Sequence, residues 1–211
     1  FMDLNTLFQL FAARGTPALE QAKRLLFTPD LFHYWLSGRA VNEYTIASTS
    51  QCLEPFNRTW ATDLLRRLDI PADIFGEIVQ PGTILGPLLP WVAEETGAAG
   101  VQLVAVGCHD TASAVAAVPI DGPDRAFVSS GTWSILGVES PRPVVNSRAL
   151  QFNFTNEGGV CDTIRLMKNI TGLWIIQECR RQWALEGARL SWDEIVGLAR
   201  AAKPFACVID V

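Results

Sequence analysis

Two short segments of this chain hold residues suited to moving a phosphoryl group. The first, residues 107–115, carries Asp110 ahead of a run of small residues with helical spacing. The second, residues 129–134, carries Gly131 and Thr132 at a turn between two apolar runs. Transfer of a γ-phosphoryl group needs a base for the proton of the attacking hydroxyl, and backbone and hydroxyl donors for the phosphate charge. Asp110 has the chemistry of the base, and the Gly-Thr turn has that of the donors.

Each of these residues also has an ordinary structural explanation. Asp110 at a helix start is a favoured N-cap, whose carboxylate would accept from the amides one turn on. Gly131 and Thr132 fit a plain hairpin connection. The His109-Asp110 pair is a weak metal signal, because the one other histidine, His33, is far away in the sequence.

Asn169 and Cys108 leave similar alternatives open. Asn169 precedes a predicted amphipathic helix, so it is either a cap or a polar group presented to a ligand. Cys108 fits a small buried side chain, since no base is arranged for thiol catalysis. Neither a Gly-x-x-x-x-Gly-Lys-Ser/Thr loop nor a Gly-x-Gly-x-x-Gly fingerprint occurs, which excludes a P-loop or Rossmann nucleotide site from these residues.

The composition is typical of a globular protein. The 211 residues are 49% apolar and 18% charged, and 17 basic and 22 acidic residues give a net charge of −5. Without a basic run, nucleic acid and anionic membranes are poor candidate partners, and no apolar run reaches the roughly 18 residues of a membrane span. Five cysteines without a Cys-x-x-Cys pair predict reduced, mostly buried thiols rather than disulfides or a zinc site. We expect a cytoplasmic protein.

The predicted elements are mostly helices in the first half of the chain, whereas strands become frequent after its middle. Apolar spacing with Gly and Pro signals predicts helices over residues 4–11, 17–26, 31–36, 60–68, 91–96, 110–118, 171–183 and 191–201. Apolar runs predict strands over residues 101–106, 126–130, 133–138, 152–155 and 163–167. The strand at 101–106 is expected to be buried, and the polar stretch 45–50 to form a turn that faces a cleft. Two prolines within 119–123 mark the predicted domain boundary.

The two ends of the sequence suggest a piece of something longer. The chain starts with Phe1 and Met2, and residues 206–211 read as a strand that is just beginning. We therefore expect the sequence to be incomplete.

The sequence resembles the central part of the FGGY carbohydrate kinases over essentially its whole length. The segments that carry this resemblance are residues 5–10, 25–30, 81–83, 108–115, 129–134 and 169–172. A Gly-x-His-Asp element is shared by many FGGY sugar kinases. His-Asp-Thr-Ala-Ser-Ala followed by Ser-Ser-Gly-Thr-Trp-Ser is narrower, and it is typical of the L-rhamnulose kinases rather than the glycerol or xylulose kinases of the family.

The resemblance implies an α/β fold of the ribonuclease H-like, actin-like ATPase type, with sugar and ATP meeting between two domains. Residues 1–118 would be the later part of the N-terminal, sugar-binding domain, 119–122 a linker, and 123–211 the beginning of the C-terminal, ATP-binding domain. The implied reaction transfers the γ-phosphoryl group of ATP to the 1-hydroxyl of L-rhamnulose in L-rhamnose catabolism, with Mg²⁺ on the phosphates. The family's Asp-x-Gly metal loop and late Gly-rich adenine element are absent from these residues, so we expect no metal ligand here and an inactive fragment.

The resemblance also assigns roles by position. Asp110 matches the proton acceptor of the family. The positions that match contacts to the ketose are His109, Asp110, Thr111 and Asn169. The positions that match contacts to ATP are Gly131, Thr132 and Gln177.

Other functions stay open at this point. Another FGGY substrate, of the xylulose, fuculose or glycerol type, fits the same motifs with modest pocket changes. A non-catalytic module that binds ATP or sugar would keep the fold without turnover, and a hydrolase would use Asp110 to activate water. The expected partners are a ketose and ATP, and the expected assembly is a monomer or a weak homodimer.

Overall fold

The two halves of the chain are built differently. This computed structural model describes residues 3–119, 122 and 125–208. Among these residues, the first half holds short helices and three two-stranded sheets, whereas the second half is organised around a four-stranded antiparallel sheet.

The elements follow one another closely along the described chain. The α-helices are α1 Thr6–Ala12, α2 Pro17–Glu20, α3 Thr28–Ser37, α4 Tyr44–Ala47, α5 Thr62–Arg67, α6 Pro90–Thr96, α7 Asp110–Ala116, α8 Ser147–Gln151, α9 Trp174–Leu185 and α10 Trp192–Ala201. Two 3₁₀ helices occupy Ser48–Ser50 and Ala72–Ile74. The strands are β1 Asn42–Glu43, β2 Leu53–Glu54, β3 Thr59–Trp60, β4 Ile78–Val79, β5 Ile84–Pro87, β6 Gln102–Val104, β7 Phe127–Ser130, β8 Trp133–Ser140, β9 Thr155–Gly158 and β10 Ile164–Thr171.

A hydrophobic core joins the first helices. Leu7 of α1, Leu19 of α2 and Leu65 of α5 are buried together with Cys52 and Phe75. Each large apolar side chain buried in this way contributes about 1.5–3 kcal/mol relative to an exposed one. This cluster therefore packs α1, α2 and α5 together.

The four-stranded sheet has the order β7-β8-β10-β9, and its neighbouring strands are antiparallel. β7 and β8 form a hairpin in which Ser130 pairs with Ser134. Phe127 of β7 and Met167 of β10 are buried together with Val115 of α7. Helix α7 therefore packs on this sheet, although it precedes the predicted domain boundary.

Local signals set several helix ends as predicted. Gly38 follows α3 with φ 77°, and its N–H donates to the Tyr34 carbonyl at 2.7 Å. Ser191 caps α10, where its hydroxyl accepts from the N–H of Glu194. The helices predicted over 4–11, 31–36, 91–96, 110–118 and 191–201 are confirmed, with small shifts of their ends.

Two predicted helices are wrong in part, because a tertiary contact takes their place. Helix α2 ends at Glu20, and the N–H of Leu25 donates to the carbonyl of Ile74 instead of continuing the helix. The helix predicted from residue 60 begins two residues later, as α5. Trp60 lies on β3, where its indole N–H donates to the Gly76 carbonyl at 2.6 Å.

The strand predicted over 152–155 is wrong. Residues 147–151 form helix α8, because Asn146 caps it by accepting from the N–H of Ala149 at 2.8 Å. The strand of this region, β9, starts only at Thr155. The other strands predicted in the second half, 126–130, 133–138 and 163–167, are confirmed as β7, β8 and β10.

Two further expectations in the first half are corrected. The stretch 45–50 is helical rather than a turn, because α4 continues into the 3₁₀ helix Ser48–Ser50. The strand predicted over 101–106 exists as β6, which pairs with β5, but it is not buried, since Gln102 and Val104 are exposed.

The five cysteines are all free thiols. The expectation that they are mostly buried is wrong, because Cys52 alone is buried while Cys161 and Cys207 are exposed. Cys161 lies in a turn with φ 59°, where the chain reverses before β10 and leaves the side chain in solvent. Within the described residues, no helix is both long and apolar enough to cross a membrane.

Some predictions concern residues outside the described ones. These are Phe1 and Met2, residues 120 and 121 of the predicted linker, residue 123 at the predicted start of the second domain, and residues 209–211 of the predicted terminal strand. The division of the chain at 119–122 stays a prediction.

We expect Gly137→Ala to lower the free energy of unfolding by about 1–3 kcal/mol, a typical cost of overpacking. A Cβ at Gly137 would lie 2.7 Å from Met167 Cβ and 2.7 Å from Phe127 Cζ, inside the sheet core. Urea unfolding followed by circular dichroism measures the change. Gly197→Ala on α10 is the matched control, because a Cβ there meets no atom within 4 Å and should stabilise the helix by about 0.5–1 kcal/mol. Equal stability of the two variants would contradict this packing of β8.

Candidate functional site

Asp110 is the first residue of α7, and its carboxylate points into solvent. The side chain is 96% exposed, and Oδ1 accepts from the N–H of the next residue, Thr111, at 2.7 Å. The N-cap position belongs to His109, whose backbone is extended. The alternative reading of Asp110 as an N-cap is therefore wrong, because its carboxylate turns back to its neighbour instead of reaching the amides one turn on.

The ring of His109 is held between Asp110 and the sheet. Its Nδ1 lies 2.8 Å from Nη2 of Arg165, and its Nε2 lies 3.5 Å from Oδ1 of Asp110. A guanidinium can only donate, so Nδ1 accepts from Arg165 in the tautomer that carries its proton on Nε2, the atom that faces Asp110. Oε2 of Glu157 also lies 3.2 Å from Nδ1 and would accept from that atom in the other tautomer.

Arg165 is fully buried on β10, and it keeps its charge through its partners. Nη2 lies 3.2 Å from Oε2 of Glu157, and Nε donates to the Gly158 carbonyl at 3.0 Å. Burial lowers the pKa of Arg165 from its ordinary value, and the neighbouring Glu157 charge acts in the opposite direction. Such an ion pair costs several kcal/mol of stability when one partner is removed, so the position of the His109 ring is tied to the sheet.

The Gly131-Thr132 turn connects β7 to β8 and rests on the start of α9. The carbonyls of Gly131 and Thr132 accept from the N–H groups of Leu173 and Trp174 at 2.9 and 3.1 Å. Nε2 of Gln177 lies 3.4 Å from Oγ1 of Thr132. The structure therefore brings together the three residues predicted to contact ATP. Helix α9 begins later than predicted because β10 continues to residue 171.

Asn169 lines a cavity of about 470 Å³ between the two halves of the chain. The lining includes Ser48 from the first half and Trp133 and Glu157 from the second. His109 and Asp110 are not part of this lining, but Glu157 belongs to the cavity and also lies 3.2 Å from Nδ1 of His109. One carboxylate thus links the cavity to the His109-Asp110 pair.

A close backbone contact closes one side of this cavity. Gly158 of β9 lies against the ring of Tyr44, and a Cβ at this position would be 2.5 Å from Cε1 of the ring. The N–H of Gly158 donates to the hydroxyl of Ser48 at 2.7 Å. Glycine is required here, because the backbone of Gly158 in the second half packs directly against the Tyr44 ring of the first half.

Sequence reasoning missed Arg165 and Glu157. A strand that reads Ile-Arg-Leu-Met over 164–167 places a cation among apolar residues, and a buried cation needs a buried partner. That signal points to a functional or structural role for Arg165. Its partner His109 lies 56 residues earlier, and nothing local in the sequence connects the two.

Cys108 and His33 are neighbours in the structure, although they are far apart in the sequence. Sγ of Cys108 lies 3.9 Å from Nε2 of His33. Burial, followed by the charges of Glu43 and Asp30, raises the pKa of the Cys108 thiol to about 12, so it stays protonated and weakly nucleophilic. Among the described residues, no group of three or more His, Cys, Asp or Glu side chains is placed to hold a metal ion.

Asp30 is a buried carboxyl behind this region. It accepts from the N–H of Glu43 at 2.9 Å and from the side-chain amide of Asn42 at 3.0 Å. Burial raises the pKa of Asp30 to about 6, and the hydrogen bond from the Glu43 backbone partly opposes that rise.

Two family patterns cover most of the chain. That of the N-terminal domain of the FGGY family of carbohydrate kinases matches residues 13–117, and that of its C-terminal domain matches residues 126–210. The chain belongs to the FGGY family of carbohydrate kinases.

Relatives of this chain are named for one particular activity within the FGGY family. It is 42% identical over 211 residues to the rhamnulokinase of Bacteroides thetaiotaomicron, covering 99% of this chain and 43% of the relative. It is 45% identical over 212 residues to the rhamnulokinase of Pectobacterium carotovorum, covering 100% of this chain and 41% of the relative. The chain thus spans less than half the length of these relatives.

Solved FGGY structures have the same fold. The xylulose kinase of Lactobacillus acidophilus superposes with a TM-score of 0.81 at 16% identity, over 96% of this chain and 41% of that one. The xylulose kinase of Rhodospirillum rubrum gives 0.78 at 18% identity, over 97% of this chain and 42% of that one. The α/β, ribonuclease H-like sugar kinase fold expected from the sequence is confirmed.

The pKa of Asp30 predicts an unusual pH dependence for this FGGY chain. Because the folded-state pKa is raised from 3.8 to about 6, the folded protein binds this proton more tightly than the unfolded chain does. The contribution of Asp30 to stability is therefore complete below about pH 4 and is lost as the pH rises through about 6.

Urea unfolding of the protein and of Asp30→Asn at several pH values measures this dependence. The stability of the parent relative to the variant should increase by up to about 3 kcal/mol between about pH 7 and about pH 4. Asparagine does not titrate, so the other ionisable groups cancel in the difference. A difference that stays constant, or that grows towards higher pH, contradicts the raised pKa.

Proposed function

We propose that this chain is the central part of an ATP-dependent kinase that transfers the γ-phosphoryl group of ATP to the 1-hydroxyl of L-rhamnulose. The observation that carries the proposal is the exposed carboxylate of Asp110 beside the His109 ring, which Arg165 holds in place. The choice of sugar is supported by the relatives named rhamnulokinase, which are 40–45% identical over the whole chain.

Asp110 is the proposed base. A primary alcohol keeps its proton far above neutral pH, so the base need only accept that proton as the new O–P bond forms. An exposed carboxylate at a helix start can meet an incoming hydroxyl without moving the helix. Nε2 of His109 lies 3.5 Å from the same carboxylate and would orient either that group or a sugar hydroxyl.

The residues proposed to meet ATP fit an anionic ligand. Thr132 presents a hydroxyl at the tip of an exposed turn, and Gln177 presents an amide at 3.4 Å from it. Hydroxyl and amide donors of this kind hold phosphate oxygens without covalent chemistry. In the proposed reaction Mg²⁺ would bind the phosphates of ATP and offset their charge.

The proposed sugar contacts are Asn169 and Thr111 together with the His109-Asp110 pair. Asn169 faces the cavity of about 470 Å³, a volume that accommodates a small sugar. The cavity has polar groups from both halves of the chain, which suits a polyhydroxy ligand. We also infer that residues 1–118 belong to a sugar-binding domain and 123–211 to an ATP-binding domain that contributes Asn169 to the sugar. The protein would be a monomer or a weak homodimer, which light scattering would test.

The whole proposal is tested by the release of ADP from the full-length protein. We expect turnover with L-rhamnulose and ATP, and a kcat/KM for xylulose, fuculose and glycerol that is lower by at least about 10-fold. A preference for one of those three would replace L-rhamnulose as the substrate. ATP hydrolysis that does not depend on any sugar would instead support a hydrolase.

We expect Asp110→Asn to lower kcat by at least about 100-fold, the usual contribution of a general base. The amide has nearly the shape of the carboxylate, so the KM for the sugar should change little. Steady-state kinetics of the full-length variant measures both values. Near-normal turnover would remove Asp110 from the role of base.

We expect Asn169→Ala and Thr132→Val to affect different substrates. The loss of a polar partner costs about 1–3 kcal/mol, so Asn169→Ala should weaken the use of the sugar about 10-fold or more and leave the KM for ATP nearly unchanged. Thr132→Val should do the reverse, and Thr132→Ser, which keeps the hydroxyl, is its control. Kinetics with each substrate varied in turn separates the two effects, and equal effects on both substrates would count against these assignments.

A further inference from the structure

The segment that carries His109 and Asp110 is tied to the first half of the chain by two backbone hydrogen bonds. The N–H of Cys108 donates to Oε2 of Glu43 at 3.1 Å, and the N–H of His109 donates to Oγ1 of Thr45 at 3.1 Å. Both acceptors come from the start of α4, some sixty residues earlier in the sequence. Sequence reasoning gave neither acceptor a role.

Glu43 and Thr45 form one hydrogen-bonded unit. Oε1 of Glu43 accepts from the N–H of Thr45 at 2.9 Å, and Oε2 accepts from the Thr45 hydroxyl at 2.6 Å and from the N–H of Ile46 at 3.1 Å. A hydroxyl has a single proton. Because Thr45 donates that proton to Glu43, its oxygen lone pairs face the N–H of His109, and the direction of this contact is fixed.

Burial makes this unit rigid. Glu43 and Thr45 are both 0% exposed, and the ion pairs among the described residues do not include Glu43. A buried carboxyl group without an ion-pair partner needs hydrogen bonds to its oxygens. Losing the amide of Cys108 would therefore leave Oε2 of Glu43 with fewer donors and lower the stability of the fold. Asp30 supports the same unit, because its Oδ1 accepts from the N–H of Glu43.

We propose that Glu43 and Thr45 are positioning residues for the phosphoryl transfer. Neither forms a hydrogen bond to Asp110, and they act by fixing the backbone of residues 108–109, from which the His109 ring and the Asp110 carboxylate project. This inference rests on the proposed function. Its geometric part, the fixing of this backbone by the Thr45 hydroxyl, does not.

Thr45→Val and Thr45→Ser in the full-length protein separate the hydroxyl from the shape of the side chain. Valine keeps the volume and loses both hydrogen bonds, whereas serine keeps the hydroxyl. Displacement of a reacting group by about 1 Å can cost about 100-fold in rate. We expect Thr45→Val to lower kcat about 10-fold or more with the KM for ATP within about 2-fold, and Thr45→Ser to stay within about 3-fold of the parent.

Ser50→Ala is the matched structural control. Ser50 is also fully buried, and its hydroxyl donates to the Ala47 carbonyl at 2.6 Å and accepts from the N–H of Cys52 at 3.0 Å. It lies in the same helical stretch as Thr45, but its side chain makes no hydrogen bond to residues 108–110. We expect Ser50→Ala to lose stability comparably while keeping kcat. If Thr45→Val and Ser50→Ala both lose activity in proportion to their loss of stability, the positioning role of Thr45 is wrong.

Amide hydrogen exchange gives a readout that needs no kinase activity. In Thr45→Val the amide of His109 should exchange at least about 10-fold faster than in the parent protein, while Leu25, whose amide bonds to Ile74 in the first core, keeps its rate. An unchanged rate at His109 overturns the proposal. Fast exchange with unchanged kcat overturns the positioning role. A parent protein without kinase activity contradicts the proposed function instead, and the exchange rates then still decide whether Thr45 fixes this backbone.

Discussion

The site depends on one constraint, the fixing of His109 by residues from both halves of the chain. Its backbone N–H is bound by Thr45 of the helical first half, and its ring is bound by Arg165 of the sheet. Both partners are fully buried, so neither can exchange its hydrogen bond for one to water. Asp110 is exposed, but it follows directly after this fixed residue, and its position on α7 is therefore defined by groups that solvent does not reach.

Helix α7 connects the two halves more closely than the order of the elements suggests. Its first residue follows the segment bound by the first half, whereas Val115 near its end is buried with Phe127 and Met167 of the sheet. The turn at Gly131 and Thr132 leaves the same sheet and rests on α9. One sheet therefore supports both the carboxylate proposed as the base and the turn proposed to meet phosphate, which fixes the distance between two groups that must act on the same reaction.

The sequence predicted what short-range chemistry decides. Gly38 and Ser191 mark helix ends by their own backbone and side-chain preferences, and the hairpin around Gly131 was predicted from its turn and flanking apolar runs. The helix predicted from Trp60 failed, because an indole bound to a distant carbonyl overrides local propensity. The resemblance predicted the site residues, but not Arg165 or Glu43, whose roles exist only through contacts more than fifty residues away.

The contact between Gly158 and the ring of Tyr44 restricts how this protein can change over evolution. A side chain at position 158 would collide with the ring, and a smaller side chain at position 44 would open a void beside Ser48 at the junction of the two halves. We expect either change alone to lower stability, and a paired change to restore the fit. Positions 44 and 158, more than one hundred residues apart, should therefore co-vary among FGGY kinases, and their residue pair should differ between lineages only as a pair.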